Sequence, residues 1–272
     1  MSTDAKWNGK TALVTGASAG IGEAFAHLLA QSGCHLILVA RRRDRLEALA
    51  EKLRDRYGVT VDVIAVDLAT PEAAGAVFAE VAKLGRAVDL LINNAGFGID
   101  GRFSDHELAR ELAMIQLNVV ALVELTKRFL PGMLQRGRGD ILLVSSIAAF
   151  VSMPTFATYA ATKAFVTSFG EAIGHELRGT GVTVTVLNPG GTRTEFLDVA
   201  GMKPTKLTQL GLMPAETVAR IGLRAMARGR RSVIAGLANA AAIFVSTHLL
   251  PLDLRLRSGQ LFQRLAGGGG PR

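Results

Sequence analysis

The chain has 272 residues, 49% of them hydrophobic, with a mean hydropathy of +0.30, which is enough apolar material for one large core. Its single cysteine, Cys34, excludes an internal disulfide, and the five histidines do not cluster at ligand spacing, so no metal site is expected. The formal charge of +8 invites a nucleic-acid reading, but the basic residues are dispersed and no nucleic-acid module pattern is present, so a phosphorylated small molecule is the expected anionic ligand. The amino-terminal MSTDAKWNGK has no apolar core of the kind a secretion signal needs. The longest apolar stretch, around Leu237 to Leu252, is interrupted by Asn239, His248 and Pro251 and is too short to span a bilayer. A cytoplasmic protein is expected.

Short β-branched runs alternate with helical patterns along most of the chain. Strands are predicted at Thr11–Thr15, His35–Ala40, Val59–Val66, Leu90–Asn93, Asp140–Ser145, Val182–Asn188 and Ser232–Ala235. Helices are predicted near Gly20–Ser32, Arg43–Tyr57, Pro71–Leu84, Ser104–Arg136, Ala157–Thr180 and Pro214–Arg228. The strands are nearly continuous apolar runs, as expected of parallel strands covered on both faces. Such alternation predicts right-handed βαβ units and an α/β fold: a doubly wound, Rossmann-like parallel sheet of about seven strands with helices on both faces. Residues 1–248 form one such domain, with a long insert from Thr192 to Met213, and 249–272 form a basic C-terminal extension. Ligands of these sheets bind beyond the carboxyl ends of the strands, so the informative residues should follow strands.

The first strand is followed by TGASAGIG, Thr15 to Gly22, with glycines at Gly16, Gly20 and Gly22. A turn alone needs one glycine or two. Strand, glycine-rich turn and helix together present unpaired backbone N–H groups and a helix dipole to an anion, and glycine keeps Cβ atoms out of its way. At the end of the second strand a carboxylate would bind a ribose 2′-hydroxyl, but here the chain reads Arg41-Arg42-Arg43. Arginine pairs with a 2′-phosphate through its planar fork of donors. Tyr159 and Lys163 are i and i+4 on one predicted helix and share a face. An ammonium beside a phenol lowers its pKa and makes it a usable acid or base.

The spacing G-x-x-x-G-x-G in TGASAGIG resembles the cofactor loop of the short-chain dehydrogenase/reductase family, and further motifs extend the resemblance from about Gly9 to Ala235. Asn93-Asn94-Ala95-Gly96 is similar to the family's NNAG, and Ser146, Tyr159 and Lys163 match its S-x12-Y-x3-K pattern, with Asn118 upstream. Asn188-Pro189-Gly190 matches its PG turn. The resemblance implies NADP(H) as cofactor, held by Gly16, Ser18, Ala19, Gly20, Ile21 and Gly22 at the pyrophosphate. It places Arg41 and Arg42 at the 2′-phosphate, Asp67 and Leu68 beside the adenine, and Asn94, Ala95 and Gly96 along the dinucleotide. Pro189, Gly190, Thr192 and Thr194 then hold the carboxamide end. For Asp67 a helix N-cap is the alternative reading.

The resemblance also implies the chemistry. Tyr159 donates a proton to the substrate oxygen, Ser146 hydrogen-bonds that oxygen, and Lys163 holds the nicotinamide ribose and tunes Tyr159. Asn118 anchors a water in a proton relay or is a helix-kinking structural amide. Strand alternation lets only one of Ser145 and Ser146 face the site, and the spacing selects Ser146. Ile147 to Phe156 and Thr192 to Met213 should wall the substrate pocket with Phe150, Val151, Met153, Phe156, Phe196, Leu197, Met202, Leu207, Leu210, Leu212 and Met213. So apolar a wall predicts a lipophilic carbonyl such as an oxoacyl or steroid-like ketone. The reverse reaction, oxidation of an alcohol or hydroxy acid with NADP, is the alternative, and a non-catalytic NADP(H) sensor a second one.

The family commonly forms dimers or tetramers through its long helices. Ala121, Leu122, Leu125 and Phe129, and Phe165, Phe169 and Ile173, exceed what one core-facing stripe requires and are the expected homodimer or homotetramer surface, with burial in the core as the alternative reading. In the extension, Pro251 can start a helix in which Leu252, Leu256, Phe262 and Leu265 share an apolar side. Packing on the protein's own pocket or on a partner subunit is favoured over contact with an anionic membrane surface.

Overall fold

The computed structural model describes residues 6–202 and 211–265. In chain order its first half comprises β1 (Thr11–Thr15), α1 (Gly20–Gln31), β2 (His35–Ala40), α2 (Arg43–Tyr57), β3 (Val61–Ala65), α3 (Ala73–Lys83) and β4 (Leu90–Asn93). Then come α4 (Leu108–Ile115), α5 (Leu122–Gln135), β5 (Gly139–Val144), α6 (Ala157–Glu176) and β6 (Val182–Asn188). The short β7 (Thr192–Arg193) and α7 (Phe196–Val199) precede β8 (Met213–Pro214), α8 (Ala215–Ala227) and β9 (Ser232–Ile234). Two helices close the described chain, α9 (Leu237–Leu249) and α10 (Leu252–Leu265).

Seven strands form one parallel sheet in the order β3-β2-β1-β4-β5-β6-β9, and β7 pairs separately with β8. The alternation of side chains along each strand builds two cores at once. In β1, Ala12 and Val14 join Phe25, Leu29, Leu46 and Leu223 under α1, α2 and α8, whereas Leu13 joins Val77, Leu125 and Val166 under α3, α5 and α6. The order reverses between β1, which pairs with β2, and β4, which pairs with β1 on its other edge. That switch point opens a crevice at the carboxyl ends of the strands.

Opposite the crevice, the start of β5 anchors the amino-terminal segment. Asp140, buried, accepts hydrogen bonds from Trp7 Nε1 at 3.0 Å, Lys6 Nζ at 3.2 Å and Thr183 Oγ1 at 2.7 Å. Cys34 is fully buried and its thiol donates to the Lys10 carbonyl at 3.1 Å.

The structure differs from the sequence expectations in three places. Ser104–Arg136 is not one helix: a 3-10 turn at Phe103–Asp105 precedes α4, and a π-helical segment, Gln116–Ala121, separates α4 from α5. Wider turns of this kind accommodate a side chain that bonds elsewhere, here Asn118. Second, Ala121, Leu122, Leu125 and Phe129 are not spare surface; they are buried in the layer beneath α3 and α5. Phe169 and Ile173 pack against the same layer, and Phe165 alone of the named residues is substantially exposed. Third, Leu237–Leu249 is a regular helix, and Leu252 at the start of α10 faces solvent rather than a shared apolar side. Leu256 is half-buried, while the side chains of Phe262 and Leu265 lie outside the described ones. No helix among the described residues is long and apolar enough to cross a membrane.

Candidate active site

A cleft of about 1060 Å³ follows the carboxyl ends of the strands from Arg42 to α9. At its phosphate end, Gly16 and Gly20 take positive φ, +66° and +61°, which only glycine adopts without strain. Gly22 is different. It faces away from the cleft, and a Cβ there would strike the Gly16 carbonyl and Asn94 Nδ2. Its role is to let α1 pack closely on the β1 turn. Ala19, at the N-cap of α1, offers no side-chain acceptor to the first-turn N–H groups. Gly16, Ser18, Ala19, Gly20 and Ile21 line the cleft beside them. An uncapped helix start, a backbone cradle without Cβ atoms and a pair of arginines together fit a dinucleotide pyrophosphate and its ribose.

Next along the cleft, Thr15 ties the NNAG stretch to β1: its Oγ1 accepts from Asn94 N at 2.9 Å and Ala95 N at 3.0 Å. Asn94, Ala95 and Gly96 then form one wall. Arg42 donates from Nε and Nη2 to Ser18 Oγ at 3.3 and 3.2 Å, while Arg41 Nη1 approaches Asp67 Oδ2 at 3.8 Å. Asp67 Oδ1 accepts from Ala69 N at 3.0 Å, so its carboxylate caps a local turn while Asp67 and Leu68 line the cleft. The capping turn precedes α3, whose own N-cap is Glu72.

At the chemical end, Ser145 and Ser146 follow β5. Ser145 Oγ is buried against the Lys163 carbonyl and Thr167 Oγ1, both at 2.8 Å. Ser146 lines the cleft, and its Oγ accepts from Ala148 N at 3.1 Å. That leaves the Ser146 proton available to donate. Tyr159 lies between Phe156 and Phe196, with ring centroids 4.4 and 5.3 Å away. Burial pushes its phenol up to about 12, and the hydrogen bond with Ser146 pulls the other way. This corrects the expected lowering by Lys163. The Lys163 ammonium stands 5.7 Å from the Tyr159 ring centroid, donates to the Val144 carbonyl at 3.0 Å, and is itself lowered by burial to about 8. Desolvation is the leading cause for both groups.

Asn118 does not reach the cleft wall. Its Oδ1 accepts from Phe97 N at 3.1 Å, and its Nδ2 donates to the Phe97 carbonyl at 2.9 Å and to Thr162 Oγ1 at 3.1 Å. The amide thus fixes the loop after NNAG to α6, just behind Gly96 and Lys163. Pro189, Gly190, Thr192 and Thr194 complete the far side, with Thr192 Oγ1 donating to the Gly190 carbonyl at 2.9 Å.

Of the expected substrate wall, Val151, Met153, Phe156, Phe196, Leu197, Met202 and Leu212 line the cleft. Phe150 does not, Met213 packs against the core cluster, and Leu207 and Leu210 lie outside the described residues. Gly259 of α10 lines the cleft and is buried beside the Ser152 carbonyl, in keeping with the expectation that the C-terminal extension packs on the protein's own pocket. Sequence reasoning missed α9, which contributes Asn239, Ala242, Ile243 and Ser246. It also missed Glu195. This carboxylate accepts from Arg42 Nη1 at 2.8 Å and Arg45 Nη1 at 2.6 Å. Among the described residues no cluster of histidine, cysteine and carboxylate side chains could hold a metal.

A doubly wound sheet with an anion cradle at its switch point, and a Ser–Tyr–Lys group at the far end, defines a nicotinamide-dependent oxidoreductase. The chain belongs to the short chain dehydrogenase family, whose model matches residues 10–203. It is 40% identical over 185 residues to the sulfoacetaldehyde reductase of Chromohalobacter salexigens, covering 67% of this chain and 72% of that one. A short-chain dehydrogenase from Sphingobium yanoikuyae in complex with NADPH superposes with a TM-score of 0.80 at 35% identity, covering 86% of this chain and 90% of that one. The structure of a 7β-hydroxysteroid dehydrogenase superposes with a TM-score of 0.84 at 29% identity, covering 93% and 97%.

Proposed function

We propose that the protein uses NADPH to reduce a lipophilic carbonyl compound to an alcohol. The observation that carries this reading is the pair of hydroxyls of Tyr159 and Ser146 on one wall of a cleft whose other surfaces are mainly aliphatic and aromatic. A bound nicotinamide supplies hydride to the carbonyl carbon. The protein's part is to polarise and protonate the carbonyl oxygen. Ser146, its oxygen engaged by Ala148 N, donates to that oxygen, and Tyr159 transfers its proton as the oxygen becomes an alcohol. A phenol held at about 12 remains protonated at every physiological pH, as an acid must. Lys163, fixed through Val144, would hold the nicotinamide ribose with its remaining protons. The similarity to a hydroxysteroid dehydrogenase supports a bulky substrate, and the similarity to an NADPH complex supports the phosphorylated cofactor. Assembly as a homodimer or homotetramer belongs to the same reading, with Phe165 on the exposed side of α6.

Following NADPH absorbance with ketones, aldehydes and acyl thioesters of graded size tests the substrate class. Bulky lipophilic ketones should exceed short polar aldehydes in kcat/KM by roughly 10-fold or more, since each buried methylene contributes on that scale. Turnover confined to small polar aldehydes would overturn the reading. For the cofactor, NADPH should bind tighter than NADH by roughly 10- to 100-fold, the range of a charge-assisted hydrogen bond or two, and Arg42→Ala should remove most of that difference. Titration calorimetry with both nucleotides decides it.

A pH dependence follows from Lys163. Its charged form is present below about 8 and lost above it. The kcat/KM for NADPH, which reports the free protein, should therefore fall as pH rises through about 8. Lys163→Arg keeps the charge and should move that limb to higher pH. A profile flat from pH 7 to roughly 10 in the unsubstituted protein would contradict the assignment.

A further inference from the structure

Arg42 has both edges of its guanidinium engaged. One edge, Nε and Nη2, holds Ser18 Oγ, and the other, Nη1, donates to Glu195 Oε2 at 2.8 Å. The second oxygen of Glu195 takes Arg45 Nη1 at 2.6 Å, so one carboxylate bridges Arg42, the N-cap of α2, and Arg45 in its first turn. A 2′-phosphate on an adenosine ribose in this corner needs the same Arg42 donor and carries the same sign of charge as Glu195. The two anions compete. Glu195 also caps α7, its carbonyl accepting from Val199 N at 3.0 Å. The next residue, Phe196, places its ring 5.3 Å from that of Tyr159. The carboxylate therefore links the phosphate corner to the substrate side of the cleft through a single backbone step.

We infer that Glu195 is a built-in counter-ion of the phosphate corner: it holds Arg42 and Arg45 until a 2′-phosphate displaces it, and its release frees the substrate-side segment Phe196 to Met202. This rests on the reading that Arg42 takes the 2′-phosphate. The side chains of Arg42, Arg45 and Glu195 are 40%, 45% and 45% exposed, so the ion pairs are screened and weak enough to be exchanged. The hydrogen bonds from Arg45 and then Arg42 hold the Glu195 carboxyl below its ordinary range, which is the sign of their preference for its charged form. Glu195 thereby sets the degree of discrimination between phosphorylated and unphosphorylated nucleotides, because its carboxylate opposes only the former.

The test is a comparison of Glu195→Gln with the unsubstituted protein. Glutamine keeps the shape and removes the charge. Binding of NADPH, NADH and adenosine 2′,5′-bisphosphate is measured by calorimetry. The substitution should tighten NADPH and the bisphosphate by roughly 3- to 10-fold, the scale of two screened ion pairs, and leave NADH unchanged. In hydrogen exchange, the amides of Val199 to Met202 should quicken when the bisphosphate saturates the unsubstituted protein, and should already be quick in Glu195→Gln without it. Weaker NADPH binding in Glu195→Gln, an equal change for NADPH and NADH, no change in either, or exchange that is insensitive to both bisphosphate and substitution overturns the inference. Arg42→Ala separates this failure from that of the cofactor reading. A preference for NADPH that Arg42→Ala abolishes and Glu195→Gln leaves intact defeats Glu195 alone. Absence of any preference in the unsubstituted protein defeats the underlying reading as well.

Discussion

Replacing Tyr159 with phenylalanine should lower turnover by about a thousand-fold, within the range lost when a general acid is removed, while NADPH still binds with its original affinity. The two outcomes separate because the ring and the hydroxyl have different partners. The ring packs between Phe156 and Phe196 and is retained in phenylalanine. Among the described residues the hydroxyl meets Ser146 and the cleft, so its loss removes the proton donor without opening a cavity. Single-turnover kinetics with saturating NADPH, beside a fluorescence titration of the nucleotide, checks both halves. Retention of more than about a tenth of the activity would assign the acid to another group.

Asn118→Leu has the second large effect, through a different route. Leucine keeps the branched outline of the amide, though it is larger, and leaves the Phe97 N–H and carbonyl, both bonded to Asn118, without partners in a part-buried setting. Stranding such groups costs about 2–4 kcal/mol, or roughly 4–10 °C in the melting temperature of a chain this size. Turnover should fall as well, because Asn118 supports the Gly96 and Lys163 wall from behind. Calorimetric melting and kcat are the measurements. An unchanged melting temperature with lost activity would show that the amide acts on a bound water or substrate instead. The bonds to Phe97 and Thr162 and the π-helical segment around Asn118 favour the structural-amide alternative over the relay, and the two measurements together separate them.

The sheet was the most legible part of the chain because parallel strands buried on both faces must be apolar along their whole length. Thr11–Thr15, His35–Ala40, Leu90–Asn93 and Val182–Asn188 could be delimited to the residue for that reason. The glycine loop, the two arginines and the Ser–Tyr–Lys spacing were legible because backbone cradles and shared helix faces are local patterns. What escaped is what tertiary contact decides. The π-helical segment at Gln116–Ala121 accompanies a bond from Asn118 to Phe97, 21 residues away, and no periodicity announces it. Helix α9 carries apolar residues on nearly every side, because one side lines the cleft while Phe244 and Leu249 on another remain exposed. It therefore read as an interrupted apolar run. Glu195 looked like any acid in the insert until the fold brought it to Arg42 across 153 residues.

The burial of Cys34 has a practical consequence. Its thiol is pushed up to about 12, chiefly by desolvation, and donates to the Lys10 carbonyl, so the reactive thiolate is scarce at any working pH. Since the chain has one cysteine, the native protein is a blank for maleimide chemistry. A cysteine introduced at an exposed site such as Phe244 on α9, which is 58% exposed, would be the sole sulfur a dye or spin label can reach. Distances from such a probe would follow α9, whose other side lines the cleft, with no need to strip other thiols from the molecule first.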